Sequence, residues 1–183
     1  MQVISGPWDE RLVERWLTGA VIPVRLGMLG TSGPLVVSLW YRYQQGALWC
    51  ATSADADVVA HLRRDPRVGF EVGPDVPPYR GVRGTGRAVV VSDAGPAVLE
   101  GLLARYLDAS NAGLADWLRR RAHDEVALRI GDLRVTSWDF SSRMSPQEPR
   151  ALLPEMGAEP DDGSPAGAPT LTAIPGSTRP RRP

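Results

Sequence analysis

The sequence predicts a mainly β protein with interspersed helices, closed as a small antiparallel split barrel of six or seven strands. Three observations carry that expectation. Apolar, strand-like runs recur at residues 21–29, 35–43, 47–52, 68–72, 80–91, 126–130 and 133–138. The links between most of them are turns rich in Gly, Ser, Pro or Gln. Such short links join antiparallel strands, because parallel strands need long crossovers. Only two or three helical segments interrupt the series, so the sheet has little to cover it and closes most easily on itself.

The first element is a helix over residues 8–17. Trp8, Leu12 and Trp16 recur at i, i+4 and i+8, with Asp9, Glu10, Arg11, Glu14 and Arg15 opposite. Pro7 and Asp9 suit its first turn and Gly19 its end. The stripe is expected to plug a barrel mouth or a dimer groove. Residues 21–29 and 35–43 then form two strands around the turn GTSG, and Gln44, Gln45 and Gly46 turn into a third at 47–52. A short helix follows, capped by Asp55 or Asp57 and stopped by Pro66. Residues 68–72 make a fourth strand. Residues 80–91 make a long fifth one whose Gly81, Gly84 and Gly86 mark a bulge or the close approach of a backbone or ligand.

Helices are expected at 96–107, from Val98, Leu99, Leu102, Leu103 and Tyr106, and at 112–122, from Leu114, Trp117 and Leu118. Arg119, Arg120 and Arg121 read as a solvated helix end that complements the dipole. Residues 126–130 and 133–138 read as a closing hairpin through Gly131 and Asp132. From residue 145 the chain is Pro-, Gly- and Ala-rich without period, so one domain over 1–144 and a disordered tail over 145–183 are expected.

Composition removes more reactions than any motif adds. No apolar run reaches the roughly 20 residues that span a bilayer, and the first residues lack the pattern of a secretory signal. A cytoplasmic protein without membrane partners is the expectation. With 21 basic and 21 acidic residues the formal charge is +0, which offers nucleic acid no attracting field. Every basic residue is Arg, and without Lys no Schiff base forms. Cys50 is the single cysteine, and His61 and His123 are the only histidines. An internal disulfide, a multi-Cys zinc site and a His-rich metal site are excluded. Gly81, Gly84 and Gly86 lack the strand–turn–helix setting of a dinucleotide fingerprint, and Cys50 in an apolar strand reads as core.

The stretches RLGMLGT, VVSLWYRYQQGALWCATS, HLRRDPRVGF, PYRGVRGTGRA and VTSWDFSSRM, in this order across residues 8–144, resemble the pyridoxamine 5′-phosphate oxidase-like family of flavin- and deazaflavin-binding split β-barrels. That resemblance implies a homodimer with two cofactor sites at the subunit interface. It implies FMN as cofactor, with deazaflavin, haem or no cofactor as alternatives. By position, Ser38, Leu39, Trp40 and Tyr41 would line the ring edge, and Thr52 and Ser53 would lie near the phosphate or ribityl chain. Arg80 and Arg83 would bring cations, and Trp138 would wall the pocket. Such a site asks for a flat apolar slot, a few hydrogen bonds and cationic donors.

The chain departs from its relatives in one segment. Where they carry Lys or Arg, residues 52–58 read TSADADV, with two carboxylates and no cation. Arg25, Arg80 or Arg83 would have to take over the phosphate. The implied function is a flavin- or deazaflavin-dependent oxidoreductase acting by hydride transfer on a small conjugated or heterocyclic substrate. No catalytic side chain stands out, because the cofactor would supply the chemistry. The alternative is a non-redox member that binds a small molecule or haem, or does cofactor-free biosynthetic work, in the same pocket.

Overall fold

A computed structural model describes residues 1–144; the expected tail at 145–183 lies outside the described residues. Eight strands, β1 (Gln2–Ser5), β2 (Val24–Gly30), β3 (Gly33–Leu39), β4 (Arg42–Gln44), β5 (Ala47–Ser53), β6 (Arg67–Val72), β7 (Arg80–Val91) and β8 (Glu125–Asp139), form one sheet. Its order is β3-β2-β6-β7-β8-β5-β4, antiparallel throughout, with β1 added parallel to β8. Helices α1 (Glu10–Gly19), α2 (Asp57–Arg64), α3 (Gly95–Tyr106), α4 (Ala112–Arg120) and α5 (Ser141–Met144) complete it. No helix among the described residues is long and apolar enough to cross a membrane.

The order of the strands shows why the sheet curls. β3 and β4 sit at its two ends, yet only Trp40 and Tyr41 separate them in the chain. The three steps from Leu39 to Arg42 span no more than about 11 Å, so the two edges are drawn together. Val24 and Leu26 of β2 therefore share one core with Leu48 and Cys50 of β5, and with Val82, Leu128 and Ile130 between them. Burial of Cys50 pushes its thiol up to about 12, which leaves it an inert core residue.

Strand β1 and helix α5 are not expected from the sequence, and three expected elements differ. Residues 35–43 split into β3 and β4, because Tyr41 turns inward and its hydroxyl donates to Leu17 O at 3.0 Å. Residues 126–138 form one strand instead of a hairpin. Asp132 takes φ 52° and the opposing register shifts between Thr85 and Arg87, so Gly131 and Asp132 bulge the strand without reversing it. Finally, the buried face of α1 is Val13 and Leu17, one position round from the expected stripe. Trp8 and Trp16 are only half-buried and Leu12 is 37% exposed. An indole N–H needs an acceptor, and that of Trp16 finds Val72 O at 3.0 Å at the core's margin.

The expected cap of α2 by Asp55 or Asp57 is absent, since Ala56 holds the N-cap position with no side-chain hydrogen bond; other local signals hold. The Asp9 carboxylate caps α1 by accepting Leu12 N–H at 2.8 Å. Gln45 (φ 51°) and Gly46 (φ 72°) make the two-residue turn between β4 and β5 that a hairpin prefers. The β7 glycines mark close approach by backbone and rings. A Cβ on Gly84 would lie 2.2 Å from Arg134 O and 2.9 Å from the Phe70 ring. On Gly81 it would lie 2.5 Å from Val72 O and 2.9 Å from the Trp138 ring.

Candidate functional site

Where the two sheet edges are drawn together a seam is left, and α3 and α4 lie along it. The seam holds a groove of about 400 Å³. Ser38, Leu39 and Trp40 reach it from the end of β3, and Ala51, Thr52 and Ser53 from the end of β5. Leu99 and Leu102 of α3 and Leu114 and Leu118 of α4 line it from the helices. Its volume falls within the range of small-molecule pockets, and its walls are largely apolar.

Trp40 is the largest wall. Its ring is stacked on Tyr106, with centroids 5.2 Å apart and planes 9° from parallel. Tyr106 is itself tethered, its hydroxyl donating to Ile22 O at 2.9 Å and accepting from Tyr41 N–H at 3.3 Å. The polar atoms of the groove are the hydroxyls of Ser38, Thr52 and Ser53 and the carboxyl of Glu125, which pairs with Ser53 across β5 and β8. Burial, aided by Asp124 nearby, pushes the Glu125 carboxyl above the ordinary carboxylate range. No Arg and no His lines the groove.

Five of the ten residues singled out in the sequence, Ser38, Leu39, Trp40, Thr52 and Ser53, thus meet in one groove. The other five lie elsewhere. Tyr41 is fully buried, donating to Leu17 O and Ala20 O beneath α1. Arg25 is tied to Glu71 at 3.4 Å and to Gly73 O at 2.9 Å. Arg83 faces Glu71 across the β6–β7 ladder on the same outer sheet face, exposed, with its guanidinium 5.8 Å from the Trp138 ring. Trp138 packs on Gly73 and Gly81. Arg80 lines a different cavity, beside α1.

Sequence reading missed the helical side of the groove and Glu125. The apolar pattern of α3 was legible, but a leucine stripe looks the same whether it faces a core or a cavity. Glu125 carries no local signal: only the pairing of β8 with β5 brings it beside Ser53.

No protein-family model matches the chain, and no curated protein matches it. Solved structures do. A conserved hypothetical protein from Mycobacterium tuberculosis matches with 25% identity and a TM-score of 0.62, over 78% of this chain and 91% of its own. An F420 reductase matches at 19% identity and TM-score 0.54, over 68% of this chain and 94% of that one. An FAD-binding protein from Mesorhizobium loti matches at 20% and 0.54, over 71% and 93%. These likenesses, with the curled antiparallel sheet and its seam, show that the chain has the split β-barrel fold.

Proposed function

We propose that the seam groove binds the ring of a flavin-type cofactor, FMN or a deazaflavin, and that the protein is an oxidoreductase acting on a small conjugated or heterocyclic substrate. The observation that carries this reading is the meeting of Ser38, Leu39, Trp40, Thr52 and Ser53 around one largely apolar groove. When bound, such a ring supplies hydride chemistry. The chain's own residues do the rest. Trp40, held by Tyr106, presents a flat wall for the ring. Leu99, Leu102, Leu114 and Leu118 exclude water. The hydroxyls of Ser38, Thr52 and Ser53 offer hydrogen bonds to polar edges.

The residues present fit a ring better than they fit a phosphate. Glu125 stands at the groove and no cation lines it, so one chain alone offers the phosphate no partner there. Among the expected anchors, Arg25 is already paired with Glu71, and Arg80 is in another cavity. Arg83 is the exposed cation left, on the outer face of the sheet. The reading therefore includes a homodimer, with Arg83 of a second copy as phosphate partner. Its planar fork suits that task.

One chain's lining of this groove offers haem no histidine, cysteine, methionine or tyrosine to ligate iron. The acidic groove end does favour one alternative, a non-redox protein that holds a neutral, phosphate-free ligand. Titration of the purified protein with FMN, a deazaflavin and riboflavin, followed by absorbance, separates the readings. The proposal expects yellow, saturable binding that Trp40→Leu weakens. It also expects FMN to lose about tenfold in Arg83→Ala while riboflavin does not, the size of one charge-assisted hydrogen bond. Protein that takes up none of the three overturns the cofactor reading. Equal FMN affinity in wild type and Arg83→Ala overturns the phosphate assignment alone.

A further inference from the structure

Beside α1 lies a second cavity of about 510 Å³ that shares no lining residue with the seam groove. Trp8, Leu12, Trp16 and Ile22 form its apolar walls, and Arg15 and Arg80 bring two guanidinium groups to it. We propose that this cavity is a separate ligand site whose occupant is a planar aromatic carboxylate.

The aromatic walls are set in place from behind. Trp16 donates its indole N–H to Val72 O at 3.0 Å. The backbone N–H of Trp8 donates to the Ser137 hydroxyl at 3.0 Å, and Ser137 is itself buried. The two rings stand 5.3 Å apart at 47°, in tilted contact with each other, and together present one aromatic wall to the cavity. The Arg80 guanidinium lies 5.6 Å from the Trp16 ring centroid.

The far wall is the end of α1 at Gly19 and the connection into β2, residues 20–22, which has no regular secondary structure. It is nevertheless fastened by side chains from α3 and from the β3–β4 connection. Arg105 donates to Thr18 O and to Ala20 O, each at 2.7 Å. Tyr41 donates to Ala20 O at 3.3 Å, and Tyr106 to Ile22 O at 2.9 Å. A wall fixed in this way loses little freedom when a ligand arrives, which favours binding.

Charge selects the ligand. Among the described residues Arg15 and Arg80 make no side-chain hydrogen bond and no ion pair within 4.0 Å. The acid in the lining is Asp139, whose carboxylate already accepts Ser141 N–H at 2.9 Å. Hydrogen bonding from Ser141, side chain first and backbone second, with smaller help from Trp8 and Arg80, holds its pKa below the ordinary carboxylate value. Two cations against one committed anion leave a site for a monoanion. A carboxylate matches the planar guanidinium fork, whereas a phosphate dianion would meet more repulsion from Asp139.

The test is calorimetric titration of the full chain with 2-naphthoate, and with 2-naphthalenemethanol as its uncharged analogue. Saturable binding of naphthoate at one site per chain is expected. Arg80→Gln and Arg15→Gln should each weaken it about tenfold, as the loss of one charge-assisted hydrogen bond does. Neither change should move binding of the alcohol, while Trp16→Leu should weaken both probes. Arg15 is exposed on α1, so its variant keeps the test open if Arg80→Gln fails to fold. Naphthoate that does not saturate, or that binds no better than the alcohol, overturns the proposal; so does affinity unchanged in both arginine variants. Trp40→Leu should leave naphthoate binding intact while lowering flavin uptake, so either site can fail without the other.

Discussion

Tyr106 lies flat against Trp40, their ring centroids 5.2 Å apart, while its hydroxyl donates to Ile22 O at 2.9 Å. One residue of α3 thus backs the aromatic wall of the seam groove and fastens the connection into β2. Substitution separates the two roles. Tyr106→Phe keeps the stack but strips the bonds to Ile22 O and Tyr41 N–H. Urea unfolding should show a loss of about 1–2 kcal/mol, with flavin affinity unchanged. Tyr106→Leu removes the stack as well and should lower both.

The glycines of β7 make a second prediction. Gly84→Ala forces a Cβ to 2.2 Å from Arg134 O, and Gly81→Ala to 2.5 Å from Val72 O. Both contacts are with backbone, so neither is relieved by rotating a side chain. Each variant should lose about 3 kcal/mol or more, or fail to accumulate as folded protein. Gly113→Ala is the control. It lies in α4 with nothing within 4 Å of the new methyl, and should gain about 0.5–1 kcal/mol by thermal unfolding.

Arg105 supplies a third. Its two bonds to Thr18 O and Ala20 O satisfy carbonyls at the end of α1 that have no other donor of equal strength. Arg105→Met keeps much of the packing and should cost about 2–4 kcal/mol in denaturant titrations. Arg105→Lys retains one charged donor and should cost less. Equal losses in the two variants would show that packing, not hydrogen bonding, fixes the segment.

The fourth concerns pH. The folded protein holds the Glu125 carboxyl above its ordinary pKa because of burial. Between the unfolded and the folded value the native state binds more protons than the unfolded chain, so stability falls as pH rises through that window. Above it the ionised carboxylate is a standing penalty. Glu125→Gln should therefore melt higher than wild type at pH 7, with the difference vanishing as pH falls below about 4. A variant that melts lower at pH 7 would reveal a partner for the carboxylate.

What was legible in the sequence follows the range of the interactions. Turns and strands governed by neighbours a few positions apart, such as Gln45–Gly46 and the run from Arg80 to Val91, read correctly because their signals are local. The Gly131–Asp132 pair was misleading because a turn dipeptide also serves as a bulge, and only β5 and β7 on either side decide between the two. The tryptophan stripe of α1 misled for a related reason: periodicity reports an apolar face without saying whether protein or ligand covers it. At the groove, the strand residues were legible through resemblance. Leu114, Leu118 and Glu125 were not, since they meet only after the sheet has curled.

The long strand β8 has a consequence for how the chain is made. It pairs with β7 and β5 along its length, and with the very first strand, β1. Until residues 125–139 have left the ribosome, β5 and β7 both present bare, apolar edges with no partner. Such edges pair with other chains as readily as with their own. A chain stopped at Asp124 should accordingly be no partial barrel but an aggregation-prone species. Strand β8, the last among the described residues, acts as the fold's quality gate, deciding in one step between a closed molecule and a sticky one.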